Sequence, residues 1–263
     1  ELCVQALTAR RAPPALLMAL ALLGPCGSRA ADTPAALPAP ELTEDWTPVR
    51  VVTPGPTPGA APSDAIVLFD GQDLSAWQSA NGGPPLWKLD QGELLLVPKT
   101  GDLHSKAVFG DAQIHLEFRF PEVPAHITGQ QRSNSGLFIQ GLYELQILDS
   151  YGSSTYSNGQ LGAVYKQHAP LVNPARPPLQ WQSYDIVFTA PRFDAAGKLL
   201  APARMTVLLN GVLVQNNVEL KGPTVYRGQP VYAAHGPGPL VLQDHGNEGI
   251  RFRNIWIRPL SAR

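Results

Sequence analysis

The chain has 263 residues and a formal net charge of −1, from 20 Lys and Arg against 21 Asp and Glu. That balance excludes a general nucleic-acid or anionic-membrane binder, which needs a strongly basic surface. With 24 Gly and 27 Pro but no Gly-x-y period, and only 16% charged residues, the composition also excludes collagen and a coiled coil.

Arg10 and Arg11 precede an apolar run over residues 15–23, followed by Gly24, Pro25, Cys26 and the small-residue stretch Ser28-Arg29-Ala30-Ala31. Charged, apolar and small residues in that order read as a secretory leader over 1–30, which places the protein outside the cytoplasm, secreted or periplasmic. The run is too short to span a bilayer, so no transmembrane span is expected after leader removal. Cys26 is a possible lipidation site, although Pro25 directly before it fits that role poorly. Cys3 and Cys26 are the only cysteines, so the remainder has no disulfide and no thiolate chemistry. Residues 31–64 carry eight prolines and only one aromatic residue, Trp46. They read as an extended linker, and a folded domain is expected over 65–263.

From residue 65 onward no apolar set holds helical spacing for three turns. Short apolar or alternating runs recur instead, at 66–69, 93–97, 113–120, 136–140, 143–148, 184–189, 205–214, 240–243 and 250–257. Over 112–120 the set Ile114, Leu116, Phe118 and Phe120 alternates with Gln113, His115, Glu117 and Arg119, a strand with one core face and one wet face. Asn210-Gly211 between apolar runs is a strong hairpin signal, and residues 193–198 suggest a looser hairpin. Ten or more strands without helices imply a single all-β sandwich of two antiparallel sheets.

The stretch with most chemistry is 134–151. Alternation around Leu145 and Ile147 puts Glu144 and Gln146 on one face. Simple alternation puts Asp149 on the other, and a one-residue bulge near Leu148 would bring it round. Two carboxylates with a Gln between them suit acid/base chemistry on a sugar, while the same pattern also fits a solvent-facing edge strand. A second constellation, Gln243-Asp244-His245-Gly246, offers an imidazole as base or ligand, or simply a turn with a capping Asp. Glu144 and His245 are the candidate ligands should a divalent metal ion take part, since no pair of His has helical metal-ligand spacing. Trp77, Trp87, Trp181 and Trp256 are candidates for sugar stacking or for the core. The nucleophile elbow, the P-loop and the dinucleotide fingerprint are absent.

Six motifs in order then carry a resemblance: Asn134-Ser135-Gly136, the segment from Tyr143 through Glu144, Gln146 and Asp149 to Tyr151, Gly162-Ala163-Val164-Tyr165, Trp181-Gln182-Ser183-Tyr184-Asp185-Ile186, Leu242-Gln243-Asp244-His245-Gly246, and Phe252-Arg253-Asn254-Ile255. Together they resemble the 3-keto-disaccharide hydrolase domain family, also described as 3-keto-glucoside 1,2-lyase/2-hydroxy-3-keto-glucal hydratase. The resemblance implies a concanavalin A-like jelly roll, bacterial secretion, and an oxidised 3-keto disaccharide or glycoside as substrate. That chemistry needs a base and a proton donor, and the residues expected to supply them here are Glu144 as base and His245 as acid or metal ligand. Arg119, Asn134, Gln146, Asp149, Gln243 and Asp244 are the expected substrate-binding residues. Two alternatives stay open: a glucanase-type hydrolase using Glu144 and Asp149, and a non-catalytic carbohydrate-binding module.

Overall fold

The computed structural model describes residues 37–247 and 249–260. The expected leader, residues 1–30, lies outside them. The chain divides into two compact units, 1–49 and 50–263. Of the first, the described residues 37–49 are exposed and hold one 3-10 turn, Pro40–Thr43. Among the described residues no helix is long and apolar enough to cross a membrane.

The regular structure of the second unit is strands and two short 3-10 turns, joined by long loops. The strands are β1 (Ile66–Phe69), β2 (Trp77–Ser79), β3 (Lys88–Asp90), β4 (Glu93–Leu95), β5 (Leu103–Phe109), β6 (Ala112–Arg119), β7 (Asn134–Ile139), β8 (Tyr143–Leu148), β9 (Gln182–Thr189), β10 (Arg192–Phe193), β11 (Leu199–Ala201), β12 (Arg204–Leu209), β13 (Val212–Glu219), β14 (Gly238–Leu242) and β15 (Arg251–Pro259). One sheet runs β13-β12-β9-β6-β15-β4-β3, with β1 also paired to β15, and the other runs β2-β5-β14-β7-β8. The two are called here the back and front sheets. The strands β10 and β11 form a separate ribbon.

Alternation decides which face is buried. Ile114, Leu116 and Phe118 of β6, Tyr184, Ile186 and Phe188 of β9, and Met205, Val207 and Leu209 of β12 all point inward from the back sheet. Leu137, Ile139, Tyr143, Leu145, Ile147, Leu240 and Leu242 meet them from the front sheet. The Tyr184 hydroxyl donates to the Gln146 carbonyl at 2.6 Å and ties the sheets together. The β12–β13 hairpin turns on Asn210 (φ 54°) and Gly211 (φ 78°), the doubly left-handed pair that an Asn-Gly dipeptide supplies at least cost. This is the expected jelly-roll sandwich.

The folded unit begins earlier than Ala65. Residues 50–64 lie as a strap along the outer face of the back sheet. The Gly59 carbonyl accepts from Asn254 Nδ2 at 2.9 Å and Trp256 Nε1 at 2.8 Å, and the Asp64 carboxylate accepts from Arg258 Nε at 2.9 and 3.0 Å. Beneath Gly59 lies His115, 2% exposed. Burial opposes its charge, but Asp185 at 2.7 Å from Nδ1 and Glu117 at 3.5 Å from Nε2 outweigh burial and lift its pKa to about 9.

Candidate active site

The front sheet's outer face follows from the pairing of β14, β7 and β8. Phe138 pairs with both Val241 and Glu144, and Gly136 pairs with Gln146. The Gln243 amide N–H then donates to the Gly136 carbonyl at 2.9 Å. Gln243, Gly136 and Gln146 therefore form one row, and Val241, Phe138 and Glu144 the next. Gly136 is a notch in this surface. A Cβ there would lie 2.9 Å from Glu144 Oε1, so only glycine lets the carboxyl group fold back across β7.

Two loops build walls on this floor. The segment after β8 returns along its free edge, with Tyr165 N–H donating to Glu144 O at 3.1 Å and Gln146 N–H to Ala163 O at 2.9 Å. This covers an edge that would otherwise expose unpaired backbone groups, and it sets Tyr165 beside Glu144. The segment after β13 meets the same edge, where Thr224 Oγ1 accepts from Glu144 N–H at 3.0 Å. The half-open cavity between them, about 320 Å³, is lined by Gln130, Asn134, Phe138, Glu144, Gln146, Tyr165, Thr224, Tyr226, Gln243 and His245.

Among the described residues Glu144 is the only carboxylate in that lining. It is 5% exposed, and among the described residues nothing hydrogen-bonds its carboxyl group. Burial, helped by the negative charge of Asp102, pushes its pKa up to about 8. Gln146 and Gln243 each present a buried side-chain oxygen without a hydrogen-bond partner. Buried polar atoms are rarely left unpaired, and two of them in one cavity mark a place for donors from a ligand, such as sugar hydroxyls. Asn134 is held by Gln130, its Nδ2 donating to the Gln130 carbonyl at 2.9 Å.

The structure thus brings together Glu144, Gln146, Asn134, Gln243 and His245 from the sequence reading. It places the other three elsewhere. The β7–β8 register runs regularly to Asn134 opposite Leu148, so no bulge turns Asp149 outward. Asp149 is fully buried instead, accepting from Arg132 Nε at 2.7 Å and from Tyr151 N–H at 3.2 Å. Arg119 sits on the back sheet, paired with Glu93 at 2.8 Å and lying over Trp181. Asp244 organises a loop: its carboxylate accepts from the amides of Thr100, Gly101 and Gly246. Among the described residues no three His, Cys, Asp or Glu side chains converge on one point, and the two candidate metal ligands, Glu144 and His245, both line the cavity. The tryptophans stay away from the cavity, and its aromatic walls are Phe138, Tyr165 and Tyr226.

Residues 64–258 match the model of the 3-keto-alpha-glucoside-1,2-lyase-like domain. The chain belongs to that family. This 3-keto-glucoside lyase-like domain is 46% identical to a candidate glycosyl hydrolase of known crystal structure from Parabacteroides distasonis, over 84% of this chain and 97% of the other, with a TM-score of 0.80. Two more candidate glycosyl hydrolases from the same organism, 20% and 21% identical, cover 75% and 74% of this chain and 94% and 99% of their own, with TM-scores of 0.55 and 0.50. They share the fold of the lyase-like domain. Comparison with curated proteins gave no match.

Proposed function

We propose that the protein cleaves 3-keto-glycosides by elimination followed by hydration. The observation that carries this reading is the carboxyl group of Glu144, alone among the described residues in a cavity otherwise lined by amides, aromatic rings, a threonine and one imidazole. Hydrolysis through an oxocarbenium ion takes two carboxyl groups flanking the glycosidic bond. Asp149, which would be the second, is sealed in its pair with Arg132. A single base suffices once a ketone at C3 has made the C2 hydrogen acidic.

In the first step the Glu144 carboxylate accepts the C2 proton and the electron pair passes into an enediolate. The bond from C1 to the glycosidic oxygen then breaks, and that oxygen takes a proton from His245. Water adds at C1 of the resulting glycal while C2 regains a proton, so the net change is hydrolysis. A carboxyl group held at about 8 is a far stronger base than a solvated one. Gln146, Gln243 and Asn134 bind the hydroxyl groups and the developing oxyanion. The leader-like residues 1–30 support a secreted or periplasmic location for this chemistry.

The test is turnover of a 3-keto glycoside beside the same glycoside unoxidised, together with exchange of the C2 hydrogen in heavy water. Cleavage and exchange of the keto form alone are expected. Cleavage of the unoxidised glycoside, without exchange, would return the protein to ordinary glycoside hydrolysis.

A further inference from the structure

Beyond Tyr165 and Tyr226 lies a second cavity of about 350 Å³ that shares both rings with the first. Its lining has the opposite charge character: Lys166 and Lys221 face it and no carboxylate does. Lys166 is held in place. Its Nζ lies 4.1 Å from the Tyr226 ring centroid, with Tyr165 at 5.6 Å and Tyr156 at 5.9 Å, and it donates to the Tyr226 carbonyl at 2.7 Å. The Tyr156 and Tyr165 hydroxyls are themselves bonded at 2.8 Å.

Lys221 is fixed through its backbone. Its N–H donates to Gln167 Oε1 at 2.7 Å, and Gln167, 8% exposed, is anchored by Nε2 on the Gly222 carbonyl at 2.9 Å. A third cation, Arg227, lies 5.6 Å from the Tyr226 centroid. Among the described residues none of the three forms an ion pair, whereas Arg119, Arg251, Arg253 and Arg258 of the back sheet all do. Unpaired cations gathered around the exposed rings of Tyr156 and Tyr226 and the half-buried ring of Tyr165 give a surface suited to a sugar that carries its own negative charge.

We infer that this second chamber is the subsite for the group expelled from C1, and that it selects a leaving group bearing a carboxylate, such as a hexuronic acid. Placing the leaving group there rests on the proposed function, since Tyr165 stands between Glu144 and the lysines. The charge preference itself does not depend on the chemistry at C2.

The experiment is calorimetric binding to the Glu144→Gln protein, in which turnover should be slowed by about 10²-fold or more. The probes are two disaccharides, each with a 3-keto glucosyl unit, one joined to glucose and the other to glucuronic acid. The acidic disaccharide is expected to bind about tenfold more tightly, the scale of one charge-assisted hydrogen bond. That advantage should vanish in about 1 M sodium chloride, where screening acts within about 3 Å. It should shrink in Lys166→Met and, without disturbing the tyrosine cluster, in Lys221→Gln. Equal binding of the two probes, failure of both to bind, or an advantage that survives salt and both substitutions would overturn the subsite. Failure of C2 exchange in the parent protein would overturn the elimination and leave this charge preference standing.

Discussion

Replacing Glu144 by Gln should make the protein both more stable and nearly inactive. The carboxyl group moves from an ordinary value of 4.5 to about 8 on folding. At about 1.4 kcal/mol per pH unit, its charged form costs the fold about 5 kcal/mol. The sign follows from which state holds the proton more tightly. Below 4.5 the group is protonated folded or unfolded and costs nothing; the cost grows through the interval to about 8 and is constant beyond it. Glutamine keeps the shape and carries no charge, so the variant should lack this alkaline loss. His115 also weakens the fold with rising pH, from its ordinary 6.5 to about 9, but it does so equally in both proteins, so the difference between them isolates Glu144. Thermal melts at about pH 5 should nearly coincide, and at about pH 9 the variant should melt on the order of 10 °C higher, given roughly 2–4 °C per kcal/mol in a domain of this size. Turnover should fall by about 10²- to 10⁴-fold, the scale of a positioned general base. A variant that melts no higher than the parent at alkaline pH would refute the desolvated carboxylate, whatever its activity.

Other sites give separate tests. Gly136→Ala puts a methyl group 2.9 Å from Glu144 Oε1; kcat should drop about tenfold, the cost expected when a base is displaced from its working position, and an unchanged kcat would mean the folded-back carboxyl is not the working one. Arg132→Met leaves Asp149 buried without its partner and should cost about 3–5 kcal/mol in denaturant unfolding. The folded Arg132→Met fraction should still exchange C2 hydrogen, and loss of exchange in intact protein would restore Asp149 to the chemistry. Arg119→Met, on the far sheet, should leave kcat/KM for a 3-keto glycoside unchanged. A chain starting at residue 65 should melt several degrees below one starting at 50, because the partners of Asn254, Trp256 and Arg258 are gone. Equal midpoints would mean the strap contributes nothing.

The part of the site that the sequence makes legible is the part set by neighbours in the chain. Glu144 and Gln146 share a face because strand alternation is local, and Leu145 and Ile147 between them are plainly apolar. The Asn210-Gly211 turn is legible for the same reason. Asp149 is not, since its direction depends on whether a bulge forms, which is settled by pairing with Asn134 and Ser135 across the hairpin. Strand β5 escapes the apolar pattern because Ser105 occupies a core position, where it bonds the carbonyl of Ala107 and accepts from Leu240 N–H. Tyr165 and Tyr226 come from loops whose course is fixed by the edge of β8 and by Thr224, and residue periodicity carries no trace of that. The strap hides best of all: prolines give no period, and its partners lie about two hundred residues onward.

The strap also divides the outer back face. Gly59 covers His115, while Trp181, Asp185 and Arg253 line an open cleft beside it. Arg50 and Asp64 lie over the back sheet and Glu144 on the outer face of the front sheet, so the start of the strap and the cavity are on opposite sides of the core. A change in the strap reaches Glu144 through the close-packed layers between them.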